Sequence, residues 1–352
     1  MTQPHEAPQT PQTPQSKNLS SAHAAKQTLS NVDMLATAHA AQGDDTRVFR
    51  SGAIKLIAPA KVNLYLDIGD VRPDGYHNAT TIMHALTLHD VLYMKRIPEQ
   101  GQGLSIDLTC AAFEGTAPLD VEPEHNIVSK AIRALAKRMG RICDETLVVR
   151  LEKHIPSQAG LGGGSSNAAA ALVGAAHLWG LAPDDARIED VARTLGADVA
   201  FFLHGGCACF TGVGEDFLHE LRPMGLPVVV VKPEGGVSTA EAYRTFDAHS
   251  EYIDAADRET ALAARCAQEV PLRNNLEGAS ELLMPELADI RTWLFAHEGV
   301  EDVLMSGSGS AIFARCSTLE ATHRIAAAAQ ACGWWARATT FGPVRAAIVP
   351  RS

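Results

Sequence analysis

The chain has 352 residues, 46% of them hydrophobic, and a formal net charge of −11. That length suits two domains and a tail, and the acidic balance argues against a non-specific nucleic-acid binder, which needs a basic face to neutralise phosphates. No run approaches the roughly 18 uncharged apolar residues of a membrane span, and the seven cysteines lack metal or redox spacing, so free thiols in a reducing cytoplasm are expected.

Residues 1–47 are dominated by Gln, Pro, Thr, Ser, Ala and His. They bury too little apolar surface to offset the entropy of ordering, so a disordered extension is predicted there. It has neither the basic start and apolar centre of a secretory signal nor any arginine before Arg47. A first domain is predicted over 48–226. In it, Lys61-Val62-Asn63-Leu64-Tyr65 alternates, which puts Lys61, Asn63 and Tyr65 on one strand face. That pair of polar groups suits an anion or a hydroxyl, although an edge strand with a solvated face is the plainer reading. Arg72-Pro73-Asp74-Gly75 is a turn signal leading into Tyr76-His77; these rings could face a planar ligand or simply pack the turn. A strand pair is predicted over Thr80–Met94, a strand over Leu104–Leu108, and a helix whose stripe is Ile127, Val128, Ala131, Ile132 and Leu135, with Asn126 as its cap or as a ligand contact.

The most informative stretch comes next. A strand at Thr146–Glu152 is followed by Ala159-Gly160-Leu161-Gly162-Gly163-Gly164-Ser165-Ser166-Asn167 and an alanine-rich run. Glycines let the backbone turn and approach a ligand, and alanine is the best helix former. A loop feeding a helix N-terminus offers unpaired N–H groups and a positive dipole end, so it is read as a phosphate site. It is not a Walker A loop, because no lysine lies between Gly160 and Asn167. It also fits the dinucleotide fingerprint poorly, since Asp184 and Asp185 follow Pro183 in a turn. A second helix stops at Gly196. Asp198 then reads first as an N-cap, and it is the lone carboxylate between Asp190 and Glu215.

A second domain is predicted over 227–352, opening with the strand Val228–Val231. Ser238-Thr239-Ala240-Glu241 has the form of a capping box. Helices are predicted near 256–268, 276–283, 286–297 and 319–332, and strands near 303–305, 336–340 and 344–349. Ser306-Gly307-Ser308-Gly309-Ser310 is either a hairpin turn or a second ligand wall.

The ordered set Pro59-Ala60-Lys61-Val62-Asn63-Leu64, Asp74-Gly75-Tyr76-His77, Gly160–Asn167, Gly196-Ala197-Asp198-Val199 and Ser306–Ser310 resembles the GHMP kinase superfamily over roughly residues 51–350. The resemblance implies an α+β fold of two domains, one like ribosomal protein S5 domain 2 and one ferredoxin-like, with the active site in the cleft. It implies a small-molecule kinase using ATP and Mg²⁺, with no nucleic-acid or membrane partner. Gly160, Leu161, Gly162, Gly163, Gly164, Ser165 and Ser166 would wrap the phosphates, and Asn126 and Lys153 would lie at the nucleoside. Lys61 and Asp198 would be catalytic, and Ser166 is the one candidate for the metal. Asn63, Tyr76 and His77 match positions that hold a cytidyl-diphosphate polyol, with Tyr76 stacking and His77 hydrogen-bonding the cytosine. That substrate would place the reaction in isoprenoid precursor synthesis. A kinase for homoserine, mevalonate or a sugar, and a non-catalytic nucleotide binder, are the alternatives. Ala200 and Ala311 replace the family's common Pro and Cys, and Ser157-Gln158 replaces a small or Met-Gly lead into the loop.

Overall fold

The computed structural model of the protein describes residues 52–350 apart from 100, 102, 114, 119 and 120. The extension predicted over 1–47 lies outside the described residues. Two antiparallel strands, β1 (Ile54–Val71) and β2 (His77–Pro98), form a long hairpin closed by the Arg72–Tyr76 turn, in which Gly75 has φ 85°. Where a strand pair was predicted over Thr80–Met94, the chain runs as one strand. β2 is wide enough in its pairing to hold β5 (Cys207–Thr211) along its first part and β4 (Glu145–Lys153) along its last. β3 (Leu104–Ala112) lies parallel to β4, and β6 (Asp216–Leu221) extends β5. Two short strands, β8 (Arg273–Asn274) and β12 (Ala347–Ile348), return from the C-terminal part of the chain to pair with β1.

The second sheet has the order β11-β7-β10-β9, with β7 Pro227–Lys232, β9 Val300–Met305, β10 Ile312–Cys316 and β11 Trp335–Thr340, and every neighbour antiparallel. Numbered within this part of the chain, that is 4-1-3-2 with helices between the first and second and the third and fourth strands, the ferredoxin-like arrangement. The Val228–Val231 run is apolar throughout because both its faces are covered. Val229 and Val231 face helices α5 (Thr239–Ala248), α8 (Glu286–Phe295) and α9 (Leu319–Ala331), whereas Val228 and Val230 face the first sheet, packing with Leu64, Ile82 and Phe341.

On its other face the first sheet packs against α1 (Ile127–Arg138), α2 (Gly163–Leu178), α3 (Ala186–Leu195) and α4 (Ala197–His204). α2 is the centre of this layer, and Ala168 to Leu172 are all fully buried. Its alanines therefore do more than favour a helix: they let the sheet and three helices approach closely. At Gly174, a β-carbon would strike Met94 Sδ. Two local expectations fail. Ser238 is the N-cap of α5 but its side chain makes no capping hydrogen bond; the neighbouring Thr239 hydroxyl bonds Ser308 Oγ at 2.9 Å. Asp198 is not an N-cap; Gly196 holds that place, and Asp198 lies inside the first turn of α4.

Candidate active site

The glycine loop is positioned from three sides. From β1, the Lys61 N–H donates to the Leu161 carbonyl at 3.0 Å. From the β9–β10 connection, Ser306 Oγ donates to the Gly160 carbonyl at 2.9 Å and accepts from Asn63 N at 3.3 Å. A side chain at Gly160 would collide with the Ser306 carbonyl, and one at Gly162 would come within 2.7 Å of the Phe202 ring, so both closures require glycine, as do their φ values of 73° and 68°. α2 begins at Gly163 with no side chain capping it, which leaves the N–H groups of Gly163, Gly164 and Ser165 at the positive end of the helix. These residues, with Asn126 and Leu161, line a cavity of about 420 Å³.

The third support lies beneath the loop and was missed from sequence. Asp90, fully buried in β2, pairs with Lys153 Nζ and accepts from Asn167 Nδ2 at 2.9 Å, His154 N at 2.7 Å and Ile155 N at 2.8 Å. Lys153 also donates to Asn167 Oδ1 at 2.9 Å. The four groups tie β2, β4 and α2 together just under Gly163, where a β-carbon would stand 3.2 Å from Lys153 Nζ. Lys153 lines the cavity but its ammonium is engaged with Asp90. Asn126, on the same wall, is the N-cap of α1 and accepts from Val128 N at 2.9 Å. A carboxylate placed directly before the apolar run Val91–Met94 was the available sequence cue, since such a group, once buried, needs partners.

A second cavity, of about 560 Å³, adjoins the first and shares Gly160 and Gly162 with it. Lys61, Asn63 and Asp198 stand on its wall. Lys61, only 4% exposed, donates to Asn63 Oδ1 at 2.7 Å and lies 3.5 Å from Asp198 Oδ2. Asn63 Nδ2 donates to Thr81 Oγ1 at 2.8 Å, which fixes the amide so that its oxygen faces the lysine. Asp198 is partly exposed, at 33% of its side chain, and sits where the α4 dipole favours a carboxylate. Tyr65 leaves this face: a shift in β1–β2 register between Asn63 and Tyr65 sends both Leu64 and Tyr65 into the core between the sheets. The opposite wall comes from the second half of the chain, with Ser238, Thr239, Tyr243 and Gly307–Gly309. The serine-glycine loop is thus a cavity wall as well as a hairpin connection.

Tyr76 is 65% exposed at the tip of the β1–β2 hairpin and His77 stands beside it. His77 is held at both nitrogens, Nδ1 to the Gly69 carbonyl at 2.9 Å and Nε2 to Asp247 at 3.1 Å. Its ring lies 5.4 Å from Tyr243, so it reaches the second cavity through that ring. Burial, with a further contribution from the Asp198 charge, raises the Tyr243 hydroxyl pKa, so this phenol is a neutral donor. The capping-box pattern at Ser238–Glu241 announces the helix that carries Tyr243 but not the ring's place on the cavity wall. The buried Ser166 hydroxyl is without a partner at the start of α2, and among the described residues no group of three His, Cys, Asp or Glu is placed to hold a metal.

A phosphate loop at a helix start, opening onto a lysine–aspartate pair, defines a phosphotransferase-type site, and comparison with known proteins agrees. The N-terminal domain of the GHMP kinases matches residues 126–206 and the C-terminal domain matches residues 251–333. The chain belongs to the GHMP kinase family. Among its relatives is the 4-diphosphocytidyl-2-C-methyl-D-erythritol kinase of Desulfitobacterium hafniense, 38% identical over 78% of this chain and 91% of the relative. The enzyme of the same name from Salinispora arenicola is 37% identical over 87% and 97%. A crystal structure of 4-(cytidine 5'-diphospho)-2C-methyl-D-erythritol kinase matches 82% of this chain and 99% of its own at 34% identity, with a TM-score of 0.66. A homoserine kinase from Cytophaga hutchinsonii, 19% identical with a TM-score of 0.61, shares the fold.

Proposed function

We propose that this protein transfers the γ-phosphoryl group of ATP to the 2-hydroxyl of 4-diphosphocytidyl-2-C-methyl-D-erythritol, in the cytoplasm. The observation that carries the reaction type is the Lys61–Asp198 pair, 3.5 Å apart on the wall of a cavity that shares Gly160 and Gly162 with the phosphate loop. The acceptor rests on the relatives' shared activity.

Phosphoryl transfer asks mainly for positioning and charge stabilisation. Asp198, partly exposed on the cavity wall, accepts the acceptor hydroxyl proton as the oxygen attacks. Lys61, with one donor committed to Asn63 and its ammonium 3.5 Å from Asp198, stabilises the developing oxyanion. Gly163, Gly164 and Ser165 present backbone N–H groups to the phosphates, and Ser306 holds the loop in register with Asn63. Tyr76 and His77, with Tyr243, receive the cytosine end. A nucleotide-borne Mg²⁺ would supply charge neutralisation to the phosphates. The chain's donor set fits a metal brought by the nucleotide, because Mg²⁺ takes few protein ligands; Ser165 lines the phosphate cavity, while the unpartnered Ser166 hydroxyl is buried beside it.

An ADP-release assay with the cytidyl substrate, run beside homoserine, mevalonate and galactose, tests the reading. Turnover is expected with the cytidyl substrate alone; phosphorylation of one of the other alcohols in its place rejects the proposed acceptor.

A further inference from the structure

Among the described residues, Gln158 is the one non-glycine residue with positive φ, 51°, a conformation that crowds a β-carbon. Its backbone is held there from the second half of the chain, as its carbonyl accepts from Ser310 Oγ at 3.3 Å. The side chain lies over the loop after β7, so close that a β-carbon on Gly236 would stand 2.8 Å from its Cβ and 3.0 Å from its Oε1. Gln158 lines both cavities. Its side-chain amide makes no hydrogen bond among the described residues.

The electrostatics of the shared wall make that amide significant. The lysine of the second cavity, Lys61, is committed to Asn63 and Asp198, and the lysine of the first, Lys153, to Asp90 and Asn167. A terminal phosphate placed between the cavities meets the N–H groups of α2 on one side. On the other, Gln158 is the side chain that lines both cavities, and its amide is uncommitted. We propose that the Gln158 amide donates to a γ-phosphate oxygen of ATP, so that it distinguishes ATP from ADP and fixes the transferring group where the two cavities meet. This rests on ATP being the phosphate donor, and it is independent of which alcohol accepts. The anchored carbonyl fixes where the Gln158 side chain starts, on the wall shared by the two cavities and within reach of their junction.

The test is calorimetric titration of MgATP and MgADP into the wild-type protein, Gln158→Gly and Gln158→Glu. Removing one donor to a charged group is expected to weaken MgATP about 10-fold in Gln158→Gly. Gln158→Glu, which keeps the shape but replaces the donor by a negative charge, is expected to weaken it further. MgADP affinity is expected to change less than about 2-fold in both, since the γ-phosphate is absent. Glycine accommodates φ of 51°, so Gln158→Gly is expected to keep or raise the melting temperature. Equal losses for MgATP and MgADP would overturn the proposal, as would unchanged MgATP binding in Gln158→Glu. A lowered melting temperature in Gln158→Gly leaves Gln158→Glu to decide. Wild-type protein that binds no MgATP overturns this proposal along with the kinase reading. Wild-type protein that binds MgATP but ignores the cytidyl substrate rejects only the acceptor.

Discussion

Asp198→Asn isolates the proton-accepting step. The change is nearly isosteric, and Asp198 makes no hydrogen bond that shapes α4, whose N-cap is Gly196. What is lost is the base and one partner of Lys61, which retains Asn63 Oδ1 at 2.7 Å. With the carboxylate 33% exposed, water screens the pair, so the stability cost is about 1 kcal/mol and the melting temperature falls by about 2–4 °C. The catalytic cost is larger, because a positioned general base contributes roughly 10²-fold or more. Stopped or coupled ADP release at saturating MgATP and cytidyl substrate should therefore show kcat reduced at least about 10²-fold, with MgATP affinity little changed. Turnover close to wild type in a folded Asp198→Asn protein would remove Asp198 from the mechanism.

Asp90→Asn should damage the loop from beneath: it leaves the buried Lys153 ammonium without its counter-charge, a loss of roughly 3–5 kcal/mol. Chemical denaturation measures that loss, and stability equal to wild type would show that the Asp90–Lys153 pair does not support the loop. Gly160→Ala should fail to assemble the site, because the new β-carbon meets the Ser306 carbonyl; MgATP titration of any folded fraction tests this, and wild-type affinity would contradict it. The fold should also lose stability in mild acid through His84. Its Nε2 accepts from Met224 N at 3.0 Å, so Nδ1 carries the proton and donates to the Ala85 carbonyl at 2.8 Å. Burial lowers its pKa to about 4 from 6.5, so the neutral ring's stabilisation, about 3 kcal/mol, is complete above pH 6.5 and disappears as pH falls toward 4. Melting temperature against pH should show this step in the wild type and a flatter curve in His84→Gln; identical curves would exclude His84 as the source. Glu145 adds a second loss further down: burial alone would raise its pKa, but Arg141, Cys143, Arg96 and Trp179 outweigh that and hold it near 2, so its contribution fades between pH 4.5 and 2.

The parts of the fold that rest on local chemistry could be read directly. The Asn126 cap, the glycine loop, the valine strand and the Pro73-Asp74-Gly75 turn each carry their own backbone requirement. The failures share one cause, partners distant in sequence. The Thr87–Asp90 segment looks like a break because it is polar, yet the strand continues: Thr87 Oγ1 bonds Thr339 and Thr340 at 3.0 Å, and Asp90 finds Lys153. The hydroxyl of Thr239, inside the predicted capping box, goes to Ser308 of the distant serine-glycine loop. The alternation from Lys61 holds for two residues and breaks at a register shift.

The same dependence on distant partners explains how the site is assembled. Glycines make a phosphate loop possible but do not fix its shape, since each φ > 0 residue is also free in the unfolded chain. Its shape is imposed by Asp90 through Lys153 and Asn167 below, and by Ser306 between Gly160 and Asn63 at the side. Ser306 lies on the β9–β10 connection of the C-terminal sheet, and Asn63 holds the lysine that faces Asp198. One hydroxyl therefore links the glycine loop, through Asn63 the Lys61 ammonium, and the connection of the second sheet. Ser306→Ala leaves Asn63 N and the Gly160 carbonyl without their shared partner. It is expected to cost about 1–3 kcal/mol in stability and to lower kcat through misalignment even though Ser306 touches no reacting atom. Denaturation and steady-state kinetics on the same preparation measure both effects. Lost stability with unchanged kcat would show that the loop and the lysine are aligned independently.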